Sequence, residues 1–117
     1  MPTIQTKDYL AYRNNAVTNT KILVKAGPTD IRGVTVYNPG ASAAFLQTFD
    51  KAATGDVTLG TTVPDEVFLI PASGQIVIEP KEKPHHSYSL GLVIAATSTA
   101  GGAVAPASNQ DVLIKYL

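Results

Sequence analysis

His85 and His86 are the only histidines in the chain, and they stand side by side. Neighbouring residues on a strand project to opposite faces, so the two imidazoles are poorly arranged to chelate one ion. Joined by Glu79 or Glu82, one of them could enter a weak zinc or nickel site. The plainer expectation is a loop end at a subunit contact, where imidazoles that titrate near neutrality would make assembly sensitive to pH. Asp65-Glu66, with Asp50 or Asp56, offers carboxylates for calcium, but the D-x-D-x-D-G spacing of an EF-hand loop is absent. A solvated turn is expected there. Glycoside hydrolysis would need two carboxylates facing one another across a cleft. Nothing in the spacing arranges them so, and with no tryptophan the chain lacks the usual platform for a sugar ring.

Other chemistry is equally thin. Gly101-Gly102 has neither the G-K-[ST] nor the G-x-G-x-x-G context of a phosphate cradle. Ser42, Ser73 and Ser89 do not sit in a G-x-S-x-G elbow, so His85 has no serine to activate. The five tyrosines, at 9, 12, 37, 88 and 116, could form an aromatic binding face. Such residues are more often half-buried, with the hydroxyl turned out. There is no cysteine, which excludes a disulfide framework, a thiolate metal site and a thiol nucleophile. The expectation is a protein without catalytic residues, cofactor or metal.

Bulk properties point the same way. A chain of 117 residues makes one domain. Charged residues are only 15% of it, against roughly 25% in an ordinary soluble domain. A surface this poor in charge is covered by Thr, Ser, Asn, Gln, Ala and Gly, and suits lasting contact with neighbours. The nine Lys and Arg are scattered singly and balanced by nine Asp and Glu, so neither nucleic acid nor an anionic membrane is an expected partner. No apolar signal region stands at the N-terminus, and the run Leu90–Ala96 is too short to span a bilayer.

The elements that must carry these residues read as strands. Residues 1–16 form either an arm that docks on a neighbour or one short strand from Ile4, Tyr9, Leu10 and Tyr12. Residues 17–117 form the domain proper. Val17–Lys25 is a strand, with Ile22 and Val24 on one side. Ile31–Asp50 reads as a central hairpin, in which Val34 and Val36 alternate with polar residues. Asn38-Pro39-Gly40 breaks it as a type II turn with Gly40 at positive φ, and Phe45, Leu46 and Phe49 follow. Val57–Val63 alternates as a further strand, stopped by Pro64. Glu66–Pro71 reads as a strand buried on both faces. After the turn Ala72-Ser73-Gly74, Gln75–Glu79 points Ile76 and Ile78 inward. Lys81, Glu82 and Lys83 lie in a proline-bounded loop. Ser87–Ile94 is the cleanest alternating strand, Ala95–Ser108 an exposed loop, and Asp111–Leu117 a last strand led by Val112, Ile114 and Tyr116. About eight strands with no helix predict an antiparallel β-sandwich or a small barrel.

The segments VYNPGASAAFLQTFDKAATGDVTLGTTVPDEVFLIPASGQIVIEP and GLVIAATSTAGGAVAPASNQDVLIKYL carry a second signal. Tyr37-Asn38 opens a turn, and Leu46-Gln47-Thr48-Phe49-Asp50 ends the next strand. Val57–Pro64, the turn at Gly74, Gly91–Thr99 and Asp111-Val112 follow. From residue 31 onward this text resembles small virion proteins of tailed bacteriophages, of the capsid decoration or cement type. The resemblance implies a β-sandwich, often jelly-roll-like, without enzymatic activity. It implies a place in the virion, on the outside of the head or in neck, tail or fibre assemblies, after assembly in the host cytoplasm. The implied partners are the major capsid protein or other virion proteins, and further copies of the chain, as a homotrimer. A head- or tail-fibre module that binds host glycan is the alternative. Expected contact residues are Tyr9, Tyr12 and Arg13 in the arm, and Gly101, Gly102, Val104 and Pro106 in the late loop.

Overall fold

The computed structural model describes residues 9–80 and 84–117. Ile4 of the expected first strand and Lys81, Glu82 and Lys83 of the proline-bounded loop lie outside them. The described residues form nine strands: β1 (Leu10–Val17), β2 (Ile22–Ala26), β3 (Thr29–Asn38), β4 (Ala44–Asp50), β5 (Glu66–Ile70), β6 (Gly74–Ile78), β7 (His86–Tyr88), β8 (Gly91–Thr97) and β9 (Gln110–Tyr116). They make two antiparallel sheets. Sheet A runs β1-β9-β3-β6, with β7 also paired to β3, and sheet B runs β2-β8-β4-β5. The two pack as a sandwich.

Period-2 patterning puts one face of each strand inward. Val34 and Val36 of β3, with Val112 and Ile114 of β9, meet Leu46 of β4, Phe68 and Ile70 of β5, and Leu92, Ile94 and Ala96 of β8. Burying each large aliphatic side chain contributes roughly 1.5–3 kcal/mol, so these two facing layers supply most of the driving force. Strands pair from the two ends of the chain toward its middle: β1 with β9, β2 with β8, β3 with β6 and β4 with β5.

Val17–Lys25 is not one strand, since Val17 ends β1 in sheet A and β2 begins at Ile22 in sheet B, so the expected division between residues 16 and 17 falls inside β1. The structure departs from the sequence-based expectations at five further places. First, β3 and β4 are not a hairpin, because β3 lies in sheet A and β4 in sheet B. Their link is pinned by Asn38, which is buried. Its Oδ1 accepts from the Gly40 N–H (2.9 Å) and from Gln110 Nε2 (2.9 Å). Its Nδ2 donates to the Ser42 carbonyl at 2.8 Å and the Pro71 carbonyl at 3.2 Å. One amide thus ties together the β3–β4 link, the β5–β6 link and β9. Gly40 is not at positive φ. It is small because Ser108 closes over it: an added Cβ would lie 2.8 Å from the Ser108 hydroxyl.

Second, 57–63 is no strand. A short 3₁₀ turn, Thr54–Asp56, precedes it. The Thr61 and Thr62 N–H groups then both bond back to the Thr58 carbonyl around Gly60, whose φ is +84°. Third, β5 is an edge strand, so only Phe68 and Ile70 are buried while Val67 and Leu69 are exposed. Fourth, the alternating run 87–94 is two strands in different sheets, with an exposed Leu90 at the crossing. Fifth, β8 continues through Ala95, Ala96 and Thr97, all buried, so the late loop begins at Ser98.

Residues 10–16 take the strand form as part of β1, paired to β9. The bulge between Asn14 and Val17 marks that edge of sheet A.

Candidate functional site

Among the described residues, candidate titratable side chains gather around His85, Glu66 and Tyr88. His85 Nε2 lies 2.7 Å from Glu66 Oε2, and both side chains are largely shielded. The imidazole is tilted against the Phe68 ring at 5.8 Å. Tyr88 hydrogen-bonds through its hydroxyl to Thr48 Oγ1 at 2.5 Å and donates to Glu66 Oε1 at 3.4 Å. Burial pushes the Tyr88 phenol well above its ordinary value. The bond to Thr48 opposes that rise, and the negative charges of Glu66 and Asp65 add to it. The polar groups therefore bond mainly to one another. They join β4, β5 and the segment entering β7, and their chemistry is that of a structural polar knot. His86 packs edge-on against Tyr88 at 4.7 Å, separate from the His85–Glu66 pair. Among the described residues no group of three or more His, Asp or Glu is arranged to hold a metal ion.

The outer faces of the two sheets differ. Sheet B is roofed by the chain's own connections. Phe49 of β4 and Val93 of β8 point outward and are buried under Val57 and Leu59 of the β4–β5 connection. Beside them, outward-pointing Gln47 donates to Thr97 Oγ1 (2.7 Å) and to the Gly102 carbonyl (3.1 Å), holding the late loop down. Gly101 and Gly102 are half-buried in this roof, as is Pro106, whereas Val104 is 69% exposed. Val63 (83%), Leu69 (56%) and Val67 (39%) are also exposed on this side.

Among the described residues, sheet A has no such cover. Its outward side chains form rows set by the register. Asp111, Tyr37 and Gln75 are direct neighbours on β9, β3 and β6. In the next row Arg13, Leu113, Thr35 and Val77 lie across β1, β9, β3 and β6. Arg13 reaches back one row to Asp111, with Nη2–Oδ2 at 3.0 Å and Nε–Oδ1 at 3.4 Å. Lys115, beyond them, pairs with Glu79, and its ammonium lies 5.2 Å from the Tyr9 ring centroid. The hydrogen bond to Glu79 holds the Lys115 pKa up, against a small desolvation effect. Arg13, Asp111, Tyr37, Gln75, Thr35 and Leu113 line a depression of about 260 Å³. A more open one of about 360 Å³, lined by Arg13, Asn14 and Asn15, adjoins it at Arg13.

Of the expected contact residues, Tyr9 and Arg13 thus stand on the open face. Tyr12 is turned inward against the core, with its hydroxyl accepting from Asn14 Nδ2 at 3.0 Å. The sequence reading missed the row Asp111–Tyr37–Gln75, because cross-strand register is what assembles it. No family model matches the chain, and neither a curated protein nor a solved structure matches it.

Proposed function

We propose that the protein is a non-enzymatic structural component of a tailed-phage virion. In this reading it is a capsid decoration or cement protein that binds the assembled head shell through its sheet B side. The observation that carries the reading is the unlike pair of faces. Val63, Val67, Leu69 and Val104 leave large apolar side chains in water on the sheet B side. The opposite face also exposes Val77 and Tyr37, but it carries the Arg13–Asp111 and Lys115–Glu79 ion pairs as well. A group of exposed apolar side chains favours a protein–protein contact. Two further points support it. The text from residue 31 resembles virion proteins of this type. With β7 set aside, the pairing of strands from both ends inward is that of a double-stranded ribbon rolled into two sheets. We read it as a jelly roll, an architecture used by capsid and lectin domains.

The mechanism is mass action. A protein that binds the closed lattice and not its dissociated subunits shifts the equilibrium toward the lattice. A homotrimer would match the three-fold positions of such a shell. The test is co-sedimentation of the purified protein with head shells stripped of it, read by electron microscopy. Regular added density with the sheet B side inward is the expected result. Bare shells overturn the decoration reading and move the protein to the neck, tail or fibres.

A further inference from the structure

We propose that the outer face of sheet A carries a binding site for a neutral sugar ring, with Tyr37 as its stacking surface and Arg13, Asp111 and Gln75 as its hydrogen-bonding groups. This goes beyond attachment to a shell and does not rest on it.

A pyranose presents a patch of C–H groups on one side and a rim of hydroxyls, each both donor and acceptor. A site for it needs an aromatic surface beside fixed donors and acceptors. The row Asp111–Tyr37–Gln75 supplies these on three adjacent strands, spaced about 5 Å apart. Tyr37 is 43% exposed and lines the depression, beside Thr35 and Leu113.

The ion pair pre-sets the polar groups. Arg13 and Asp111 hold each other in two contacts. A guanidinium has five N–H donors and a carboxylate about four lone-pair positions, so most remain free for hydroxyls. Gln75, exposed at the far end of the row, offers both a donor and an acceptor. The two charges in the depression cancel, which favours a neutral sugar over a uronic or sialic acid. The volume of about 260 Å³ suits one ring. The adjoining depression, with exposed Asn15, leaves room for the chain to continue past Arg13.

The test is titration of the isolated ¹⁵N-labelled protein with methyl glucoside, methyl galactoside and N-acetylglucosamine, with glucuronate as the charged control. The expected result is amide shifts confined to Arg13, Thr35, Tyr37, Gln75, Asp111 and Leu113 with at least one neutral sugar. Binding of a single ring is weak, with Kd on the order of 1 mM. Tyr37→Ala lowers affinity by roughly tenfold or more, and Tyr37→Phe retains most of it. Tyr37 and Gln75 are both exposed, so Gln75→Ala gives a second variant whose spectrum reports an intact fold. Absence of shifts with every neutral sugar, shifts lying elsewhere, binding of glucuronate alone, or unchanged affinity in Tyr37→Ala would each overturn the assignment. Shell binding by the same protein is a separate measurement, so either proposal can fail alone.

Discussion

The Asp50 carboxylate accepts a 2.7 Å hydrogen bond from the Leu90 backbone N–H where the chain passes from one sheet to the other. The same carboxylate takes the N–H groups of Ser89 (3.1 Å) and Gly91 (3.3 Å). The Asp50 N–H in turn donates to Asp65 Oδ2 at 2.6 Å. An acidic side chain at the end of β4 thus acts as a clasp for the β7–β8 crossing.

Asp50→Asn is expected to cost about 1–3 kcal/mol at neutral pH, since an amide cannot accept from three N–H groups as a carboxylate does. Burial tends to raise the Asp50 pKa. The N–H groups of Leu90, Ser89 and Gly91 outweigh that effect and hold it below the ordinary 3.8. The clasp's contribution is therefore present above that ordinary value and is lost as pH falls through the lower folded value. Urea unfolding of both proteins checks this. The gap between them is wide at pH 7 and closes in acid below pH 3.8.

Gly91→Ala is expected to be more damaging. At φ +156° an added Cβ would lie 2.5 Å from the Lys51 carbonyl oxygen and 2.7 Å from that of Lys25. Both are backbone atoms of the neighbouring chain segments, so no rotamer change relieves the clash. A loss of roughly 3 kcal/mol follows, seen as a Tm lower by about 10 °C.

Tyr88→Phe keeps the ring in the core but removes the hydroxyl partner of Thr48 Oγ1 and of Glu66 Oε1, leaving Glu66 only its bond to His85, at a cost of about 1–2 kcal/mol. The phenol's raised pKa has its own signature. Stability held below the ordinary tyrosine value of 10.0 declines as pH climbs above it, because the unfolded chain releases that proton first. In an alkaline absorbance titration, Tyr88 ionises only as the protein unfolds.

Val104→Asp and Leu69→Asp test the sheet B side. Both side chains are mainly in water, so stability should change by less than about 0.5 kcal/mol. Retention on stripped shells should fall by roughly tenfold or more if that side carries the contact. Wild-type retention in both variants would count against it.

Strand positions were legible in the sequence at β6 and β9. Ile76 and Ile78 point inward as expected, as do Val112 and Ile114. Sheet membership was not legible. Tyr88 and Leu92 continue one alternating pattern although they belong to opposite sheets, because inward is the same direction for both layers of a sandwich. Val57 and Leu59 alternate like a strand for another reason: both plug the outer surface of sheet B from a turn-rich connection. The apolar run in β5 reads as buried on both faces, yet Val67 and Leu69 lie in water. Local pattern records where apolar residues are, not whether this chain is what covers them. The candidate sugar site was the least legible part. Arg13, Tyr37, Gln75 and Asp111 are scattered through the sequence and meet only through register.

The pairing of β1 with β9 joins residues 98 positions apart, as in the Arg13–Asp111 bond. Because β9 lies between β1 and β3, sheet A lacks its central member until the last strand is made. Such non-local topology sets a slow folding rate, on the order of milliseconds to seconds. It also sets a timing. On the ribosome, β1, β2 and β3 emerge with inward faces that have no layer to close against. The cross-strand rows on the outer face of sheet A therefore come into being only once synthesis has reached β9.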